Sequence, residues 1–267
     1  MKRTILATAL ALGLAASTSA SAIVVGGINF GALGETQHIE TATFANTWIS
    51  PDSTAGTTAT GYGVVSTING ANNYCAGPCS LYYTFSGELV QDVGPDGVLY
   101  FTNSVYSFYF SGAAQRNLLN FSSANNVAFI TGLTEWAQFT GHDISGAPAG
   151  TDYRITPDTF SFTEFSGLGR GLADAVVGFG VAGVGEFFDG NGVADGLGGF
   201  ADVLITSSVN SLVINPNDTC QFQNGQYCLQ GTANIRGNTN PIPEPGSLAL
   251  LGLGVLGLGL ARRKTAR

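Results

Sequence analysis

Hydrophobic and polar positions alternate with a period of two through much of the chain, which is the pattern of β-strands with one face buried. Residues 58–68 are rich in β-branched and aromatic side chains and stop at Asn69-Gly70, a common turn pair. Residues 81–93 and 98–111 flank Gly94-Pro95-Asp96-Gly97, a strong hairpin signal. Further strands are expected at residues 126–140, 159–165, 175–184 and 201–214.

About eight strands separated by Gly, Asn and Asp turns predict an all-β fold, specifically a β-sandwich or jelly roll. No linker or repeat interrupts the body, so we expect one domain over residues 23–237. Residues 98–111 carry aromatic side chains at both parities, which predicts a central strand covered on both faces. No long stretch carries the 3.6-residue apolar repeat, and residues 117–124 are expected to form one helical turn or a short helix.

The N-terminus departs from this pattern and predicts a secretory signal peptide over residues 1–22. Lys2 and Arg3 precede an apolar run, residues 5–16. Small residues follow, and Ala20 and Ala22 occupy the −3 and −1 positions that signal peptidase accepts. Cleavage there leaves Ile23 as the new N-terminus and places the body in an exported compartment.

The C-terminus has three parts that together predict a membrane anchor. A Pro-rich linker, residues 238–246, contains Pro243-Glu244-Pro245 and is stiff because proline fixes φ. The uncharged residues 247–261 predict a short transmembrane helix of about 22 Å. The basic residues 262–267 are expected to stay cytoplasmic by the positive-inside rule.

This tail, with Pro243-Glu244-Pro245, an apolar helix and a basic cluster in order, closely resembles the PEP-CTERM sorting signal. The resemblance implies a Gram-negative bacterium in which an exosortase, a membrane cysteine transpeptidase-like enzyme, recognises Pro243-Glu244-Pro245 and processes the tail. It further implies export, transient anchoring and then release or transfer to the cell surface or extracellular matrix. Proteins with this tail are typically associated with exopolysaccharide, biofilm or floc matrix, but their passenger domains vary widely.

The charge of the body narrows its partners. Charged residues make up 10% of the chain, against about 25% in an ordinary globular protein. Residues 23–240 contain four arginines, no lysine and 17 of the 18 acidic residues, which gives a formal charge of −13. Such a surface excludes a nucleic-acid footprint and repels anionic lipid and acidic polysaccharide unless divalent cations bridge them.

The four cysteines predict disulfides, because an even number in an exported chain is typical of a disulfide framework. The simplest pairing is local, Cys75 with Cys79 and Cys220 with Cys228, and crossed pairings are open. Zinc would require other spacings or nearby histidines, which neither pair has. The predicted role of these cysteines is structural.

One run resembles a cation site. Asp189, Asn191 and Asp195 alternate with glycine-rich positions, and such oxygen ligands on a flexible backbone suit calcium. The run departs from an EF-hand loop, since Val193, Ala194 and Phe200 stand where ligands or glycine belong. An ordinary turn explains the same sequence. No other cofactor is expected, and calcium binding is left as an alternative to a plain turn.

Catalytic motifs are missing from the sequence. His142 lies beside Asp143 in a Gly-rich loop, but no nucleophile elbow accompanies it. The string Gly178-x-Gly180-x-x-Gly183 lacks the βαβ context of a nucleotide site and recurs at residues 252–257. We therefore expect a non-catalytic surface or matrix protein. The alternatives are a secreted hydrolase acting on polysaccharide and a calcium-dependent carbohydrate-binding module.

Aromatic residues offer a further hypothesis, a platform on which sugar rings stack. Since Tyr82 and Tyr83 are adjacent in a predicted strand, they must face opposite sides, and one is expected to reach solvent. The candidate residues are Trp48, Tyr82, Tyr83, Tyr100, Tyr106, Tyr109 and Trp136.

Overall fold

The all-β class is confirmed by a computed structural model, which describes residues 22–31, 37–45, 49, 52–75, 77–94, 97–161, 164–211, 217 and 229–240. The strands are β1 (Ile23–Val25), β2 (Ile28–Gly31), β3 (Gln37–Ala45), β4 (Thr58–Ile68), β5 (Ser80–Leu89), β6 (Leu99–Ser111), β7 (Thr134–His142), β8 (Tyr153–Phe160), β9 (Phe165–Ala175), β10 (Val193–Ala194), β11 (Phe200–Ala201), β12 (Val203–Asn210) and β13 (Leu229–Gly237). A 3-10 helix (Leu118–Asn120) and two helices, α1 (Ser123–Thr131) and α2 (Val184–Phe188), accompany them.

The main sheet closes on itself. Antiparallel neighbours run β12-β13-β3-β4-β5-β6, and β12 also pairs with β9 along its whole length. The position between β6 and β9 is shared by two strands: β7 pairs with one half of each, and β8 with the other half. The ring therefore has eight positions, and we call it the closed sheet.

The predicted sandwich or jelly roll is not confirmed, because the described strands of the body form one closed sheet and two short hairpins, β1–β2 and β10–β11. The physical reason is that alternation marks which side chains face a core but not which strands pair. A closed sheet has the same alternation as a sandwich, with the interior as its buried face.

Strand β6 is covered on both faces only in its second half, so the prediction is confirmed in part, and a bulge reverses its alternation. Phe101 and Ser104 both face inward, and the exposed Asn103 between them has a left-handed φ of 53°. The register of β6 with β5 shifts at this point. Beyond the bulge, Phe108 packs in the interior and Tyr109 packs on the outside.

A large apolar cluster fills one end of the closed sheet. It includes residues at the start of β3 and the end of β4, and the hairpin β1–β2 and helix α2 seal it. Phe30 lies 5.0 Å from Phe187 and 5.6 Å from Phe188 between ring centroids. Trp136 is fully buried and donates its indole N–H to the carbonyl of Gly26 at 3.1 Å. We call this the sealed end. A second cluster, which includes Ala59, Leu89, Leu99 and Phe165, lies at the opposite end.

Helix α1 covers part of the outside of the sheet and corrects the strand expected at residues 126–140. The chain is helical through Thr131, and β7 begins at Thr134. Ser122 caps the helix by accepting a hydrogen bond from the Asn125 backbone. The amide of buried Asn126 donates to the Leu118 carbonyl at 2.8 Å, which ties α1 to the 3-10 helix. The short helix expected within residues 117–124 is thus present at Leu118–Asn120.

Two other strand predictions were wrong. Residues 176–183 form turns rather than a strand, because Gly178, Gly180 and Gly183 adopt positive φ values that a strand does not contain. Residues 159–165 lie across the connection between β8 and β9 rather than within one strand.

Residues 238–240, which precede the predicted PEP sequence, are held against the body. The Asn240 backbone N–H donates to the Phe187 carbonyl at 2.9 Å, and its side-chain amide donates to the Asp189 carbonyl. Residues 241–246 of the predicted linker, the predicted transmembrane helix 247–261 and the basic tail 262–267 lie outside the described residues, as does the signal peptide through residue 21. Of the helices in the described part of the chain, none is long and apolar enough to cross a membrane.

Candidate functional site

The predicted processing residues fall almost entirely outside the described part of the chain. Pro243, Glu244 and Pro245 lie outside it, and so does Ala20. Ala22 is the first described residue and is exposed, directly before β1. The prediction of these processing sites therefore rests on the sequence alone.

Cys75 and Cys79 form a disulfide in the structure, with their Cα atoms 5.9 Å apart. Cys75 also pairs with Ile28 of the hairpin β1–β2, and both cysteines pack against the cluster of the sealed end. The disulfide therefore lies where it can stabilise the packing of the sealed end. Cys220 and Cys228 lie outside the described residues.

The three predicted calcium ligands are all described, and each takes part in local hydrogen bonds. Asp189 accepts a hydrogen bond from the amide of Asn191 at 3.0 Å, and Asn191 has a left-handed φ of 45°. One carboxylate oxygen of Asp195 accepts from three successive backbone N–H groups, those of Leu197, Gly198 and Gly199. No group of three or more His, Cys, Asp or Glu side chains among the described residues could hold a metal ion. The geometry is that of a turn stabilised by its own side chains.

His142 connects this turn to the closed sheet. Its Nδ1 lies 2.7 Å from Asp174 Oδ2 and its Nε2 lies 3.3 Å from Asp195 Oδ2. Burial lowers the pKa of His142, but the hydrogen bonds and charges of Asp174 and Asp195 outweigh it, so the pKa is raised above 6.5. The backbone N–H of Leu197, with further help from His142, holds the pKa of Asp195 below its ordinary value.

The nearby Asp202 also stabilises the fold through hydrogen bonds to the backbone. Its carboxylate accepts backbone hydrogen bonds from Asn191 and Ala175, each at 2.8 Å. Burial raises its pKa despite these bonds. The acidic residues around His142 therefore anchor loops. No sequence feature marked Asp174 as its partner, since 32 positions separate the two.

Most of the described candidates for the sugar platform are buried. Tyr82 and Tyr83 do face opposite sides, but both are buried, so the expectation that one reaches solvent was wrong. Tyr82 lies under α1, where its ring meets Phe129 edge to face and its hydroxyl accepts from the Arg116 backbone. Tyr106, Tyr109 and Trp136 are also buried, whereas Tyr100 is half-buried. Trp48 lies outside the described residues.

A cavity lies inside the closed sheet, between the sealed end and the cluster at the opposite end. The volume open to the centres of water-sized molecules within it is about 80 Å³. Most of the wall is apolar, and the polar side chains on it are hydroxyl-bearing. The polar lining residues are Thr41, Thr43, Tyr83, Ser86, Ser104, Tyr106, Tyr153 and Ser207.

Two tyrosines lie flat against the cavity wall because the strands beside them carry glycine. The Tyr83 ring occupies the place where a side chain on Gly63 would be, since a Cβ there would come within 2.5 Å of the ring. Its hydroxyl reaches Thr41 and Thr43 on β3. Tyr153 crosses Gly169 and Gly171 in the same way.

The phenol groups of the cavity are neutral across the physiological range. Burial raises the pKa of Tyr83 to about 12, and it does the same for Tyr153, whose hydroxyl lies 2.5 Å from Ser207 Oγ. Burial also raises the pKa of Tyr106 well above 10.0. The described part of the wall therefore offers hydroxyl groups and ring surfaces without charge.

Sequence reasoning missed this cavity. A signal existed in the glycines inside the strands, because glycine within a strand often marks a place where another group approaches closely. The sequence alone could not show that Tyr83 of β5 would cover Gly63 of β4 and reach the hydroxyl group of Thr41 on β3.

Comparison with known proteins identifies one segment of the chain. The family model described as the PEP-CTERM protein-sorting motif matches residues 241–264. No curated protein and no solved structure matches the chain. The C-terminal tail therefore carries a PEP-CTERM protein-sorting motif, as its three-part sequence predicted.

Proposed function

We propose that this chain is an exported, non-catalytic surface or extracellular-matrix protein that an exosortase-like transpeptidase sorts through its tail. The observation that carries the proposal is the PEP-CTERM motif at residues 241–264. Signal peptidase removes residues 1–22, the tail holds the precursor in the membrane, and processing near Pro243-Glu244-Pro245 delivers the folded body to the surface or matrix. Association with exopolysaccharide or biofilm is part of the proposal.

The histidine contacts support a non-catalytic role. A general base needs a free ring nitrogen within reach of a substrate proton. Both nitrogens of His142 are engaged by carboxylates, and Nε2 of His38 lies 3.1 Å from the Asn234 side chain. Neither arrangement includes a serine, threonine or cysteine nucleophile bonded to the imidazole.

The sorting motif provides the decisive test. Replacing Pro243, Glu244 and Pro245 by alanine should leave a membrane-retained precursor with its tail intact, because the recognised sequence is lost while the apolar segment stays. Membrane and released fractions of the producing cells would be compared by immunoblot with an antibody to the body.

A matched control is Pro241→Ala, which removes a proline from the same segment but keeps the triplet. This control should be processed like the parent chain. Normal release of the triple variant would overturn the sorting assignment, and retention of both variants would show that linker stiffness, rather than the triplet, is recognised.

A further inference from the structure

We propose that the closed sheet binds a small, neutral, largely apolar molecule of about the size of one aromatic ring in its interior cavity. This ligand site is independent of the sorting tail, so it goes beyond the proposed function. The proposal rests on the position, chemistry and walls of the cavity.

The position is that of a preformed ligand site. Closed sheets of eight strands have an interior that side chains just fill or that holds one small ligand. Here the sealed end is filled by Phe30, Trp136, Phe187 and Phe188, and a space lies beyond Tyr83 and Tyr106. Residues of the second cluster, including Ala59, Leu99 and Phe165, line the far side of this space.

The wall chemistry selects a neutral ligand. Among the described residues that line the cavity, none is Asp, Glu, Lys, Arg or His. An ion placed there would lose its hydration without a counter-charge, which is strongly unfavourable. Aliphatic and aromatic groups such as Leu99, Phe101 and Ile235 supply apolar contact, and the hydroxyls of Tyr153 and Ser207 supply hydrogen bonds.

The size argues for an organic molecule rather than for a packing defect. Protein interiors are close-packed, and a void of this kind costs stability. One water needs roughly 10–15 Å³ of such space, so the cavity of about 80 Å³ exceeds a single-water site several-fold. The flattened tyrosines make this room, because their rings lie over Gly63, Gly169 and Gly171 instead of projecting inward.

The test uses 4-fluorophenol, a neutral ring with one hydroxyl, and the full-length chain in lipid nanodiscs. Fluorine NMR would follow a bound resonance during a titration, and empty nanodiscs would report partition into lipid. We expect a saturable bound signal with one molecule per chain. The anion 4-fluorobenzoate should give no bound signal, since the wall offers it no counter-charge.

Two variants locate the site. Ala59→Leu adds volume to a lining position and should weaken binding at least tenfold. Ala128→Leu makes the same change on the exposed side of α1 and should leave binding unchanged. Tyr153→Phe, which keeps the ring and removes only the hydroxyl, should weaken binding severalfold even if the leucine variant does not fold.

The outcomes are distinct. Absence of a saturable signal in the parent chain would overturn the proposal, as would equal binding of 4-fluorobenzoate. A signal that Ala59→Leu and Tyr153→Phe both leave unchanged would place the ligand elsewhere and overturn it as well. None of these results depends on processing of the tail, so failure here leaves the sorting proposal intact.

Discussion

At the scale of single residues, His142 has the contacts that depend most on pH. It lies between Asp174 and Asp195, with 22% of its side chain exposed. Asp202 and Asp189 lie in the same group of loops, and no arginine is bonded to it among the described contacts. A neutral imidazole has one N–H and can donate to only one of these carboxylates, whereas the protonated ring donates to both and adds a positive charge between them.

This contact predicts a loss of stability at alkaline pH. A histidine whose pKa is raised on folding stabilises the folded state fully below about pH 6.5, and the effect disappears as the pH rises through the folded-state pKa. Urea unfolding should therefore show a higher midpoint at pH 6 than at pH 8.5. His142→Gln keeps hydrogen bonding but cannot charge, so this difference should shrink in the variant.

His38→Gln is the matched control and should keep the full difference between the two pH values. The carboxylate side acts in the opposite direction, because the lowered pKa of Asp195 means that its contribution is lost only as the pH falls below 3.8. A parent chain whose midpoint does not change between pH 6 and pH 8.5 would contradict the role given to His142.

Residue positions within a strand could be predicted, but their surroundings could not. Adjacent residues in a strand face opposite sides, which placed Tyr82 and Tyr83 correctly. The cover over Tyr82 comes from α1, whose sequence Ser-Ala-Asn-Asn-Val-Ala-Phe-Ile-Thr has no clear apolar stripe. Tertiary packing and the Ser122 cap, rather than periodicity, make this segment helical.

At the scale of elements, the hairpin β1–β2 depends on the disulfide beside it. The backbone of Asn29 donates to the Tyr74 carbonyl at 2.8 Å, and Ile28 pairs with Cys75. The bond between Cys75 and Cys79 fixes the turn that carries these partners. The sealed end therefore combines a covalent link with apolar packing.

Replacing both Cys75 and Cys79 by serine should lower the free energy of unfolding by about 2 kcal/mol, since the loop that the bond closes is short. Guanidinium unfolding followed by tryptophan fluorescence would measure this, because Trp136 lies in the sealed end. Full reduction of the parent chain should lower its free energy of unfolding by at least the same amount. Equal stability of oxidised parent and variant would show that the bond contributes nothing.

Strand boundaries were predictable where a turn sequence follows the strand, but the face that each residue presents was not predictable across a bulge. Strand β4 begins and ends where the sequence predicted, at Thr58 and Ile68, directly before the Asn69-Gly70 turn, although its register with β3 shifts near its end. In β6 the bulge at Asn103 shifts the inward face from the parity of Phe101 to that of Ser104. An asparagine in an alternating strand has the same pattern as any outward-facing polar residue, so the sequence does not predict the change of inward face at Asn103.

At the scale of the whole molecule, charge limits what the body can bind. The formal charge of −13 over residues 23–240 opposes contact with acidic polysaccharide. Binding to the matrix polysaccharide of the producing strain should therefore require divalent cations. Calorimetry with the purified full-length chain should give saturable binding in millimolar calcium and none in chelator.

Asp189→Asn separates a defined ion site from diffuse bridging. Because Asp189 is hydrogen-bonded to Asn191, and Asp195 to the backbone N–H groups of residues 197–199, we expect this variant to bind as the parent chain does. Undiminished binding in chelator would contradict the charge argument.

The closure of the sheet could not be predicted from the sequence, since Thr41 of β3 contacts Ala233 of β13 across 192 positions.

On the export route proposed above, that closure also sets an order of events. Strand β3 is among the first to leave the membrane, yet one of its two neighbours, β13, ends at Gly237, three residues before Asn240 contacts the body. Until β13 has crossed, β3 and β12 expose unpaired backbone edges to which other extended chains can add. On that route the ring is completed only when the sorting motif at residues 241–264 follows β13, so we expect folding and anchoring to finish almost together.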